Sequence, residues 1–214
     1  MGSCFEFYAG QTTGPPNGPF YNFLVTGGVV RLQNITDGTS NTVGFGEWKI
    51  GDGNTSQLTL PSDISFIGTY PVINGVQTSR GSPQLVFGPG IDPSGLITWL
   101  QQCTAAMPGS GGQAVEHVCG EVWASGNTEM GLGNLCVPPN APYYYCSTAP
   151  VSQAASGFGF NWPGVWGLSS YHPGGANILM LDGSVRFLKN SANILTVWKL
   201  GSIAQSEVIS SDEY

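Results

Sequence analysis

Ser170, His172, Asp182 and Glu47 carry the side chains that hydrolytic chemistry uses. A Ser/His/Asp device needs a hydroxyl, an imidazole and a carboxylate that converge in space, so that the imidazole can take the nucleophile's proton. Glu47 and Asp182 would suit a glycosidase, which sets two carboxyl groups across the bond it cleaves. The Gly-x-Ser-x-Gly elbow that exposes a nucleophilic serine is absent, and no alternation of strands and helices surrounds Ser170. A structural role accounts for the same residues. His172 would lock its loop through hydrogen bonds. Glu47, on the strand side shared with Val43 and Phe45, would need Arg31, Arg186 or His172 as partner for its buried carboxylate. Structural pairing is the expectation, and catalysis by these four residues is the alternative.

Metal chemistry has fewer footholds. Asp37, Asp52 and Asp182 each precede a glycine. Such turns could offer oxygen ligands to calcium, but none has the Asp-x-Asp-x-Asp-Gly spacing of an EF-hand loop, and Asp-Gly is good turn chemistry in its own right. No cofactor is expected, with calcium the one ion these turns admit. His117 follows Glu116 in the cysteine-bracketed loop and reads as a surface residue, with a metal-ligand role as the alternative. Cys103, Cys119, Cys136 and Cys146 lack the close pairs that close a zinc tetrahedron. They suit disulfides, and the shorter loops favour Cys103 with Cys119 and Cys136 with Cys146, leaving Cys4 over. Among the aromatics, Trp123, Trp162, Trp166, Tyr143, Tyr144 and Tyr145 fall in irregular sequence. These are the candidates for stacking on sugar rings or filling a subunit interface. Trp48 and Trp198 fall in regular elements and read as core.

The elements that must position these groups are mostly short strands. Phe20 to Leu24, Gly28 to Leu32, Val43 to Ile50, Ile64 to Ile67, Tyr70 to Val76 and Gln84 to Phe87 have strand character. Ser94 to Cys103 reads as a short helix capped by Ser94, and Ser191 to Gly201 as the best helix, capped by Ser191 and stopped by Gly201. Ala176 to Leu181 and Ser184 to Leu188 form a hairpin about Asp182-Gly183, a dipeptide suited to a two-residue type I′ turn. The expected fold is α+β and β-dominated, an antiparallel sheet with long loops and one C-terminal helix. Residues 1–214 form one domain, with 101–165 a loop-rich, cysteine-bracketed insertion.

Only 9% of the residues are charged and the net charge is −7. Six basic residues spread over 214 cannot displace counterions from a phosphate backbone, so nucleic acid is excluded as a partner. An anionic membrane surface is excluded for the same reason. No run of about 18 apolar residues is present to span a bilayer.

Three ordered motifs carry a resemblance. They are Asp37-Gly-Thr-Ser-Asn-Thr42 with Gly46-Glu47, then His172-Pro-Gly-Gly with Asp182-Gly-Ser-Val-Arg-Phe187, then Trp198 with Leu200-Gly201 and Glu207. Together with Tyr8-Ala-Gly10 and Asn17-Gly-Pro-Phe-Tyr21, this order resembles the large prepilin-like family abundant in planctomycetes, known only as a domain of unknown function. The match covers both ends of the chain, and residues 55–165 carry none. The resemblance implies the β-rich head of a type IV pilin or type II secretion pseudopilin plan. That plan begins with a basic leader and a long apolar helix, which this sequence does not contain. It implies a structural role in a pseudopilus or extracellular filament, at the cell surface or outside the cell (periplasmic before assembly), with other pilin-like subunits or further copies as partners. A carbohydrate-binding module with polysaccharide as ligand is the second reading, and a hydrolase the third.

Overall fold

The computed structural model describes residues 17–20, 29–54, 57–106, 115–122, 124–126, 130–154, 162–205 and 209. Among them are nine short strands and three α-helices, an α+β, β-dominated fold without a barrel. One sheet has the order β1 (Val43–Gly46), β8 (Gly175–Met180), β9 (Val185–Lys189), antiparallel throughout. A second has the order β5 (Val115–Glu116), β2 (Ile64–Phe66), β6 (Tyr145–Ser147), β7 (Gly164–Val165). In it β2 and β6 run parallel, a departure from the antiparallel expectation. A small hairpin joins β3 (Val72–Ile73) to β4 (Val76–Gln77). The helices are α1 (Ser94–Ala106), α2 (Val151–Ala154) and α3 (Ile194–Gly201).

The His-Pro-Gly-Gly hairpin forms as β8 and β9, but its turn differs from the one expected. Gly183 takes a positive φ of 89° whereas Asp182 does not. Gly183 N–H donates to Met180 O and Met180 N–H to Ser184 O, so the loop has three residues, Leu181 to Gly183. This is the arrangement in which a tight turn is followed by a left-handed glycine. Asp182 favours it by accepting both the N–H and the hydroxyl of Ser184 at 2.9 and 2.7 Å. The two-residue glycine turn occurs elsewhere, where Asn74 and Gly75 both have positive φ and split Tyr70 to Val76 into β3 and β4.

The facing of the sheet keeps Val185 and Phe187 together, as their alternation requires, but corrects the alternation expected for Val43, Phe45 and Glu47. Ala176, Ile178, Met180 and Leu188 pack inward with Val43, Leu168, Val197 and Leu200. Val185 and Phe187 lie on the outer face, with Phe45, which is 60% exposed. A register shift between Val43 and Phe45 moves Phe45 off the side that Val43 buries. Glu47 therefore lies beyond the end of β1, not on an inward row.

The caps of α1 and α3 each lie two residues from the expected position, earlier in α1 and later in α3. Asp92, not Ser94, accepts the Ser94 N–H at 2.9 Å. Asn193, not Ser191, accepts the Leu195 N–H at 2.8 Å. Gly28 to Leu32 gives no strand among its described residues, Leu32–Asn34 being a 3-10 turn, and Pro83–Leu85 is another where Gln84 to Phe87 was expected to extend.

Helix α1 buries Leu96, Trp99, Leu100 and Cys103, and Trp198 of α3 stacks on Phe87 with ring centroids 4.7 Å apart. The disulfide pairing differs from the expected one. Cys103 is bonded to Cys146. Strand β2 explains the choice: Ser65 pairs with Cys146 across the parallel ladder, and its hydroxyl donates to Cys103 O at 3.2 Å, so the end of α1 lies over β6. Cys136 is buried in the cluster that contains this bond, whereas Cys119 is buried in another with Ile64, Phe66 and Trp166. Cys4 lies outside the described residues.

Candidate functional site

The first and second motifs converge on one groove. Past β1 the chain runs through Glu47, Trp48, Lys49 and Ile50. Facing it is Ser169 to His172, the segment leading into β8. Between them lies an open groove of about 510 Å³ lined by these eight residues.

Its walls are held by named bonds. Glu47 O accepts the Ser169 N–H, and the Ser169 hydroxyl accepts the Lys49 N–H at 2.8 Å. Buried beneath, the Tyr145 hydroxyl lies 2.7 Å from that of Ser169 and donates to Gly167 O. Asn140 accepts the Ser170 N–H at 2.9 Å and bonds Asn190 at 3.0 Å, tying the facing segment to the end of β9. The Lys49 ammonium sits 4.7 Å above the ring of Tyr171, which is 88% exposed.

At the groove's edge His172 Nε2 meets Glu47 Oε1 at 3.0 Å. Of the three partners proposed for Glu47, His172 is the one it takes. Asn177 completes the carboxylate, donating its N–H to Oε2 at 2.7 Å and its side-chain amide to Oε1 at 3.0 Å. Burial pushes the Glu47 carboxyl up, but the two Asn177 bonds and His172 outweigh it and hold the group below the ordinary carboxylate value. The pair is thus both a structural tie and part of an open surface, since the His172 side chain is 54% exposed. A purely packed pair was the expectation, and the groove corrects it.

The hydrolytic constellations do not assemble. The Ser170 hydroxyl donates to Gly175 O at 2.6 Å and accepts the His172 N–H at 3.0 Å, which makes it a turn residue. Asp182 lies at the far end of β8. Glu47 is bonded across to Asn177, near the start of β8, whereas Asp182 lies in the turn past Met180 with its carboxylate on Ser184, so the two carboxylates are not brought together. Glycosidase pairs need roughly 5–10 Å.

Other candidates are scattered. Asp37 is buried and accepts from the Ser202 hydroxyl and the Gln205 N–H, which joins the first motif to the third. Asp182 is occupied by Ser184. Of the aromatic set, Trp166 and Tyr145 are core residues, Tyr143 packs against the α1 cluster and Tyr144 is half-buried. Trp162 is half-buried with the Arg80 guanidinium 5.9 Å from its ring, and Trp123 lies outside the described residues. The groove's aromatics are instead Trp48, expected in the core, and Tyr171, which was passed over. A tyrosine beside His172 in a glycine-proline loop was the signal for it.

Among the described residues, one set of side chains has metal-ligand chemistry: Asp52, Asp63 and His117. The sequence offers Asp52 for calcium and His117 as a surface residue with a metal-ligand role as the alternative; His117 is buried, and Asp63 carries no motif that would single it out.

No curated protein and no solved structure matches the chain. A family model described as "Protein of unknown function (DUF1559)", SBP_bac_10, matches residues 5–194, which include the groove and the three-stranded sheet. The chain therefore belongs to the DUF1559 family.

Proposed function

We propose that this domain is a non-enzymatic head of a prepilin-like assembly at the cell surface or outside the cell, with further copies or pilin-like subunits as partners. The observation that carries the reading is the outer face of β1–β8–β9. Phe45 and Leu179 are paired across strands, as are Leu179 and Val185, and Phe187 lies opposite Asn177 on the same face. Phe45, Val185 and Phe187 are exposed, and Phe20 adds a ring 5.1 Å from Phe45. A sheet face that stays apolar in water is a surface for association. The disulfide adds support, because such bonds persist in oxidising compartments outside the cytoplasm. No helix of the described residues is long and apolar enough to cross a membrane. The test is light scattering over a concentration series. Large species should grow with concentration in the parent protein and be lost in Phe45→Ser/Val185→Thr/Phe187→Ser with the circular dichroism unchanged. A parent protein that stays monomeric to high concentration overturns the reading.

The groove favours a second reading, a binding surface for polysaccharide. Exposed Tyr171 and half-buried Trp48 offer ring faces, and Glu47, Lys49 and His172 offer polar partners. Tryptophan fluorescence that shifts with added polysaccharide in the parent protein, but not in Tyr171→Ala, supports it.

A further inference from the structure

We propose that Asp52, Asp63 and His117 form a binding site for a divalent transition-metal ion of the zinc class, independent of the assembly and groove readings. The three residues come from two stretches of chain held together by backbone bonds. Gly51 N–H donates to Cys119 O at 2.7 Å and Gly53 N–H to His117 O at 2.9 Å. The contact is close enough that a Cβ on Gly51 would collide with the His117 carbonyl. The turn from Thr59 to Asp63 then brings the third residue in, with Asp63 N–H donating to Thr59 O at 3.0 Å and Thr59 N–H to Asp63 Oδ2 at 2.6 Å.

One donor atom from each residue lies within 4.8 Å of the other two. Clustering alone would say little. The second observation is that the buried members are incompletely bonded. Asp63 is fully buried and His117 is 6% exposed. Asp63 Oδ1 has no hydrogen-bond partner. His117 Nδ1 lies 3.1 Å from Asp63 Oδ2, an ion-pair contact, and has no other partner. Buried polar atoms are satisfied in the great majority of cases, so the unbonded Asp63 Oδ1, beside an imidazole nitrogen whose one contact is an ion pair, points to a missing ligand. Both atoms carry lone pairs in the states that bind metals, carboxylate and neutral imidazole.

The donor set selects the ion. One imidazole nitrogen with two carboxylates suits zinc and its neighbours, whereas calcium and magnesium prefer all-oxygen shells. Donors around tetrahedral zinc stand about 3.4 Å apart, so His117 Nδ1 and Asp63 Oδ2 at 3.1 Å are already near that spacing and Asp52 is the member that would move in. Asp52 is exposed, has one oxygen on the Asn54 N–H and the other on the Thr59 hydroxyl at 2.8 Å each, and can turn inward. Its exposure leaves the fourth position facing solvent.

The test uses the full chain, stripped with EDTA and titrated with zinc chloride, followed by elemental analysis after gel filtration. One equivalent of zinc should be retained, and the melting temperature should rise with zinc. His117→Ala and Asp63→Asn should retain less than about one-fifth of an equivalent. Asp52→Asn, a change at an exposed residue, keeps the test valid if the buried variants misfold. It should bind at least tenfold more weakly with an unchanged circular dichroism spectrum. Three results would overturn the proposal: no zinc retained by the parent protein, undiminished zinc in Asp52→Asn and His117→Ala, or calcium bound in preference to zinc.

Discussion

Two carboxylate–histidine pairs in this molecule have the same chemistry and opposite surroundings. Glu47 and His172 meet at 3.0 Å on an open groove, and Asp63 and His117 at 3.1 Å in the interior. Both Glu47 oxygens are bonded, whereas Asp63 keeps one that is not. The Glu47 carboxyl is held below its ordinary value. Burial pushes that of Asp63 up despite the Thr59 N–H and His117. A complete hydrogen-bond set makes the first pair a joint of the fold. An incomplete set makes the second a place where something is to be added.

The sharpest break comes at Gly51. Alanine there should cost roughly 2–3 kcal/mol, because its methyl meets the rigid His117 carbonyl. A urea denaturation midpoint well below the parent's would show it. Next, Asp63→Ala removes the acceptor of the Thr59 N–H, and about 1–3 kcal/mol should be lost in the same measurement. Asp63→Asn, by contrast, should change the EDTA-treated protein by less than about 0.5 kcal/mol, since an amide keeps that acceptor and relieves a buried charge. Glu47→Gln should cost about 1 kcal/mol despite its greater exposure, because a charge-assisted set is lost. A larger loss in Asp63→Asn than in Glu47→Gln under EDTA would reverse the comparison. The last effect is one of pH. A carboxyl with a lowered folded value stabilises above its unfolded value of about 4.3, and the contribution fades as pH falls through the folded value. The difference between parent and Glu47→Gln should therefore be full at pH 6 and shrink below about pH 4.

The motif-bearing regions were legible because their signals are local. The apolar run of β8 and the apolar face of α3 follow from residue types at short spacing, and Glu47 found His172 because each sits in a motif with its own local signal. What failed had a longer reach or a finer cause. The bulge that turns Phe45 outward leaves no mark in an alternating pattern. The Asp182-Gly183 turn depended on Ser184 occupying the aspartate. Cys103 found Cys146 because β2 and β6 run parallel, and no spacing rule reports that. Asp63 and His117 are 54 positions apart in a stretch without motifs, so their meeting depends on the tertiary fold.

The Cys103–Cys146 bond has a practical consequence for proteolysis. A single cut anywhere from residue 104 to 145 leaves two fragments that still travel together. Such clipping would pass unnoticed on a gel until a thiol is added, when one band becomes two.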